Sequence, residues 1–326
     1  MDISLFEKLN ADGIITDASI QKIKDRTDNP NFSLHWEIKT VLYLGVLMLS
    51  GGIGVLIYKN IDSIGHQAIL LFIAAICAGC FIYALKKKLS FSFGKVASPN
   101  SFFDYILLLG CLTFISLVGY LQFEYNVFGN RYGLATFIPM LVLFFSAYYF
   151  DHIGILSLAI TNLAAWAGLV ITPFKIVKDN DFNSNTIIIT GLVLGATLIC
   201  SGILTKTKNL KAHFEFTYTN FGIHILFVSC LAAMFYFERW YLLWFLLLCC
   251  IGYFFYQKSI KEKSFYFLLM VCLYLYTGLS AVVLRLLFDT ANLDIGGIYL
   301  AFIYFIASAI AIIFFLIKMN KKIKLA

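Results

Sequence analysis

The residues able to do chemistry in this chain are few, and most stand at the ends of apolar runs. His224 is the exception. It lies about one and a half turns inside an apolar run, where an imidazole, which changes charge near neutral pH, suits proton handling. The plainer reading is a neutral ring hydrogen-bonded to a neighbouring helix. Arg285 and Asp289 close another run at i, i+4 spacing, with the arginine first, the weaker order for a helical ion pair. Snorkelling of Arg285 to the interface is the alternative. In "GGIGVLIYKNIDSIGHQAILLF" from residue 51, Asn60, Asp62 and His66 interrupt two apolar runs. They read as turn and cap chemistry or as a ligand site. Asp151-His152-Ile153-Gly154 repeats the Asp-x-Ile-Gly of residues 62–65, as a second tight turn or as one half of an inverted repeat.

Catalytic signatures are missing. The sequence has no His-Glu-x-x-His, Gly-x-Ser-x-Gly or Walker loop, and His35, His66, His152 and His213 lack metal-ligand spacing. Cys77-Ala-Gly-Cys80 is a pair on one helical turn, but no cation stands nearby to activate a thiol. These points argue against an enzyme and imply no catalytic, cofactor or metal residues.

The elements that must position these groups are membrane helices. Of 326 residues, 61% are hydrophobic and only 13% charged, about half the charge of a soluble domain. Apolar runs of about 20 residues recur, long enough to cross a bilayer, and they lack the alternation of barrel strands. The expected fold is an all-α polytopic bundle of about ten helices, over residues 39–58, 67–85, 102–122, 132–150, 153–172, 186–204, 218–237, 240–257, 264–287 and 297–317. No short apolar leader with a small-residue cleavage site precedes the first span.

The net charge of +7 follows topology rather than nucleic-acid binding. With the N-terminus inside, 19 Lys and Arg fall on inner segments and 6 on outer ones, which places both termini in the cytoplasm of a bacterial inner-membrane protein. The expected organisation is a cytoplasmic helical hairpin over 1–36, the bundle over 37–318 and a basic tail over 319–326. In the hairpin, Asp12-Gly13 ends the first helix and Thr16 caps the second. Its partners are the inner face of the bundle or another protein. Pro139 falls inside the fourth span. Ala164/Gly168 and Gly191/Gly195 are small-xxx-small pairs, for close packing inside the bundle or for a homo-oligomer face. The eight cysteines all lie in apolar runs and read as core residues. Asp104 sits near the inner end of its span, within reach of interfacial water. Glu124, Arg131, Glu238, Arg239, Arg285, Asp289, Asp294 and Asp62 fall on the outer side, as ordinary wetted loops or as a shared vestibule.

"LYLGVLMLSGGIGVLIYKNIDSIGH" resembles the signature of bacterial predicted membrane proteins of the domain-of-unknown-function 2157 family. That resemblance covers residues 5–85: a polar hairpin with a Gly-Ile-x-Thr turn, then a Gly-rich first span ending in Asn-Trp-Asp, with Ile61 here at the Trp position. It implies a membrane protein and carries no activity. Three functions come into question. A membrane enzyme acting on lipid or glycan would need Asp62, Glu124 and Asp294 to converge on the outer side, and two others fit the sequence better. One is a non-catalytic membrane protein that organises or docks partners. The alternative is a secondary transporter or lipid-linked carrier with a site near the midplane or outer face.

Overall fold

A computed structural model describes residues 3–28, 35–171, 185–290 and 295–325. The chain divides into two compact units, Met1–Ile61 and Asp62–Ala326.

In the first unit, α1 (Ile3–Ala11) and α2 (Asp17–Asp28) flank a tight turn. Gly13, at φ 72°, supplies the left-handed residue that stops α1, and its amide donates to the Asn10 carbonyl at 3.0 Å. Thr16 stands just before α2, its carbonyl accepting from the Ser19 amide at 2.8 Å. The Asn10 side chain donates to Asp17 Oδ1 at 2.9 Å and ties the two helix ends. Ile14, at the turn, is 68% exposed. Helix α3 (His35–Ile64) carries the apolar stretch Thr40–Leu56.

The second unit runs α4 (His66–Lys87), α5 (Ser101–Tyr125), α6 (Tyr132–Phe150), α7 (Ile153–Ile171), α8 (Asn185–Thr207), α9 (Glu215–Tyr236), α10 (Tyr241–Lys261), α11 (Phe265–Thr290) and α12 (Ile295–Leu325). Single 3₁₀ turns, Ala212–Phe214 and Glu238–Trp240, lead into α9 and α10. No strand occurs among the described residues. Helices are what the composition demands, because a backbone in lipid must satisfy its hydrogen bonds within its own segment. Polar groups mark their ends: Asn100 Oδ1 accepts from the Phe103 amide at 2.7 Å and caps α5.

Sequence neighbours pack as hairpins, α4 with α5, α6 with α7, α8 with α9 and α10 with α11. Helices α8 and α9 approach closely, backbone against backbone. A Cβ on Gly195 would lie 2.8 Å from the Leu226 amide nitrogen, and one on Gly222 would lie 2.7 Å from Ile199 Cγ1. Gly191 likewise faces Ser229 of α9. This small-residue pair therefore serves packing inside the bundle. Leu107, Leu143, Ile155, Ile160 and Phe214 fill one core between α5, α6, α7 and the start of α9. Phe227, Leu248 and Val271 fill a second between α9, α10 and α11.

The outside of this unit is apolar. On α12, Ile298, Phe302, Ile306, Ile313 and Phe314 are all exposed, a surface that suits lipid and not water. Among the described residues, eight helices are long and apolar enough to cross a membrane. The first and fifth expected spans appear as shorter apolar helices, Thr40–Leu56 and Ile153–Gly168, within the described residues. Two expectations change. Cys200 and Cys250 lie on exposed faces rather than in the core, since a small weakly polar thiol is as acceptable to lipid as to protein. Asp104, in the first turn of α5, is buried by protein, 6% exposed, rather than open to water.

Candidate functional site

Helix α6 reverses into α7 with only Asp151 and His152 between them. Asp151 makes this turn by adopting the left-handed conformation, φ 58° and ψ 47°, which an Asp tolerates better than most residues. The turn directs its carboxylate to two other connections. Oδ2 lies 3.1 Å from Lys211 Nζ, and both side chains are 1% exposed. Oδ1 lies 2.6 Å from His213 Nε2. A carboxylate only accepts, so His213 carries its proton on Nε2 and donates it there. The Val96 amide also donates to Oδ2.

Lys211 is itself left-handed, φ 56°. Its amide donates to the Phe93 carbonyl at 2.8 Å and its ammonium to the Gly94 carbonyl at 3.0 Å. Its Nζ lies 5.2 Å from the centre of the Phe91 ring. One buried acid thus ties together the α4–α5, α6–α7 and α8–α9 connections. Burying two charges costs more than their attraction returns unless further hydrogen bonds satisfy them, and here the Val96 amide, the Gly94 carbonyl and the His213 ring do so.

His152 lies beside this knot, 5% exposed. Its Nδ1 accepts from the Ile155 amide at 3.2 Å, so the ring caps α7 as a Ser or Asp commonly would. Its Nε2 points at Asp104 Oδ1, 3.9 Å away, and Asp104 takes a hydrogen bond of 2.6 Å from the Ser98 hydroxyl. A second ionic group closes the same end. Lys206 of α8 bridges Glu215 and Glu262, each at 2.9 Å, and Lys258 of α10 lies 2.8 Å from Glu215. Lys88 meets the Tyr149 hydroxyl of α6. Met319 of α12 packs on Leu268, near the start of α11. The lysine-bearing ends of α4, α8, α10 and α12 therefore share one end of the bundle.

At the opposite end of α5, His66 Nδ1 lies 2.7 Å from the Tyr120 hydroxyl and Nε2 lies 3.4 Å from Glu124 Oε1. Helix α5 thus separates His66 from Asp151 by its full length, so these two sequence candidates belong to different ends. Asn60 and Asp62 fall in the last turns of α3, and Asp289 in the last turn of α11, with side chains outside the described residues. Asp294 also lies outside them. Arg285 lies 4.8 Å from the centre of the Tyr241 ring and donates to the Glu238 carbonyl at 3.4 Å. His224 Nδ1 lies 2.7 Å from the Tyr274 hydroxyl of α11, and that tyrosine stacks on Phe227 at 5.0 Å. Its environment is a cross-helix hydrogen bond.

Among the described residues, no three His, Cys, Asp or Glu side chains form a group able to hold a metal. The sequence pointed to Asp151 and His152 through their turn motif. It missed Lys211 and His213, whose only local signal is their i, i+2 spacing in a short connection.

No curated protein and no solved structure matches this chain. A family model does, over residues 7–156, a segment that takes in the Asp151–His152 turn and stops before Lys211 and His213. Over that segment, from α1 to the first residues of α7, the chain is similar to the predicted membrane proteins of the DUF2157 family, as its Gly-rich first span implied.

Proposed function

We propose that this protein is a non-catalytic scaffold of the bacterial inner membrane that organises partners at its cytoplasmic face. The observation that carries the reading is the Asp151–Lys211–His213 knot. A buried acid held by two basic side chains and a backbone amide is built to fix three connections in place, and a fixed platform is what a docking protein needs. In this reading the lysine-rich end faces the cytoplasm, where such charges are retained during insertion. The chain crosses the membrane ten times, with α3 and α7 completing the count, and both termini lie inside. Asp151 and His152 hold the platform, and His224 holds α9 to α11. The docking element is the hairpin of α1 and α2, in residues 1–36, whose exposed Ile14 offers an apolar anchor. The separation of Met1–Ile61 as its own compact unit supports that division of labour.

The test is cross-linking in intact cells. Deleting residues 1–35, or replacing Ile14→Asp in the full chain, leaves the bundle in the membrane and removes its cross-linked partners. If both variants keep the wild-type cross-links and rescue a strain lacking the protein, the reading is overturned.

A further inference from the structure

A groove runs down the bundle between α9, α11 and α12, at the end opposite the ionic knot. It has a volume of about 460 Å³, within the size range of small-molecule sites. Its walls are mostly apolar, with Phe235, Ala281, Leu284, Phe288 and Phe305, and Arg285 stands at its end. The hydroxyls of Tyr276, Thr277 and Ser280 also line it but bond within the protein. Phe235, Phe288 and Phe305 are all exposed, so the groove opens sideways to the surrounding lipid. The Tyr241 ring and the Glu238 carbonyl hold the Arg285 guanidinium in place.

The dimensions suit one occupant. Arg285 is three residues from the end of the apolar span Phe265–Phe288, at the level of lipid headgroups. From there the groove descends α11 to Tyr276, about 14 Å at the rise of an α-helix and roughly half the hydrocarbon thickness of a bilayer. One leaflet is that deep. A guanidinium presents its donors in a fork that matches phosphate oxygens, and the apolar wall below it matches a fatty chain.

We infer that this groove binds one glycerophospholipid with an anionic headgroup. Its phosphate sits at Arg285 and one acyl chain lies along Ala281 and Phe305. This goes beyond the scaffold reading and is independent of it.

Native mass spectrometry of the purified full chain, given phosphatidylglycerol or phosphatidylcholine of identical chains, tests the site. The wild type retains phosphatidylglycerol about fivefold better, the effect of one basic side chain near an anionic lipid. Arg285→Gln removes that preference, Arg285→Lys restores part of it, and Arg239→Gln leaves it intact. Ala281→Trp, which fills the groove, lowers retention of both lipids. A photoactivatable phosphatidylglycerol bound to the wild type labels Phe288 or Phe305, a readout that needs no variant. Equal retention of the two lipids, an unchanged preference in Arg285→Gln, or labelling confined to other helices overturns the proposal. So does a dimer that Ala281→Trp dissolves, because a second copy would then fill the groove.

Discussion

Asp151 and Lys211 form an ion pair of 3.1 Å between carboxylate and ammonium, with neither side chain more than 1% exposed. Removing one partner of such a pair leaves the other buried with its charge less well compensated. Asp151→Asn keeps the left-handed turn, since Asn tolerates that conformation, and still lowers stability by about 3–5 kcal/mol. Lys211→Met costs less, because His213 and the Val96 amide still hold the Asp151 carboxylate. The double variant costs clearly less than the sum of the two, because each substitution has already removed the interaction the other would break. Chemical unfolding in detergent, run as a double-mutant cycle, checks the coupling.

Much of this molecule was legible along the chain, and the rest was not for a physical reason. Helix existence follows from run length and from lipid's refusal of unpaired backbone, so the apolar runs could be read directly. Gly191 and Gly195 announced a close helix contact because only small residues permit one. The ionic knot was hidden. Lys211 counted only as a topology signal and His213 as a stray histidine, because pattern within a segment carries no information about which connections meet. Asp104 looked wet for the same reason: its burial depends in part on His152 arriving from the α6–α7 turn. The Asp-x-Ile-Gly motif found Asp151 but gave only turn chemistry, and its partners supplied the rest.

The α8–α9 contact predicts a graded response. Gly195→Ala drives a methyl group against the backbone of α9, which has nowhere to go, and costs on the order of 1–3 kcal/mol. Gly191→Ala costs less, because the Ser229 hydroxyl in its way can rotate aside. Thermal unfolding of the two variants in the same detergent ranks them. Equal stability would mean that α8 and α9 stand further apart than described.

His224 is expected to behave as a structural hydrogen-bonding residue. Interhelical hydrogen bonds in membranes average about 0.6 kcal/mol. His224→Phe with Tyr274→Phe should therefore show a coupling of about that size, and in-cell partner cross-links should be unchanged. Loss of partners at full stability would instead give this ring a functional role.

The shared end of the bundle predicts sidedness. In a cysteine-free background, single cysteines at Ser92, Asn209 and Lys261 should react alike, and one at Val127 should react from the other side. An impermeant maleimide applied to intact cells labels Val127→Cys and spares the other three if the lysine-rich end is cytoplasmic. The reverse pattern would invert the orientation while keeping the three connections together.

The knot also sets an order of assembly. Residues 151 and 152 leave the ribosome well before Lys211 and His213 exist. Until the α8–α9 hairpin inserts, the acid at the α6–α7 turn has no ammonium to neutralise it. The earlier helices are then an unfinished half, and the later hairpin is the bolt that closes it.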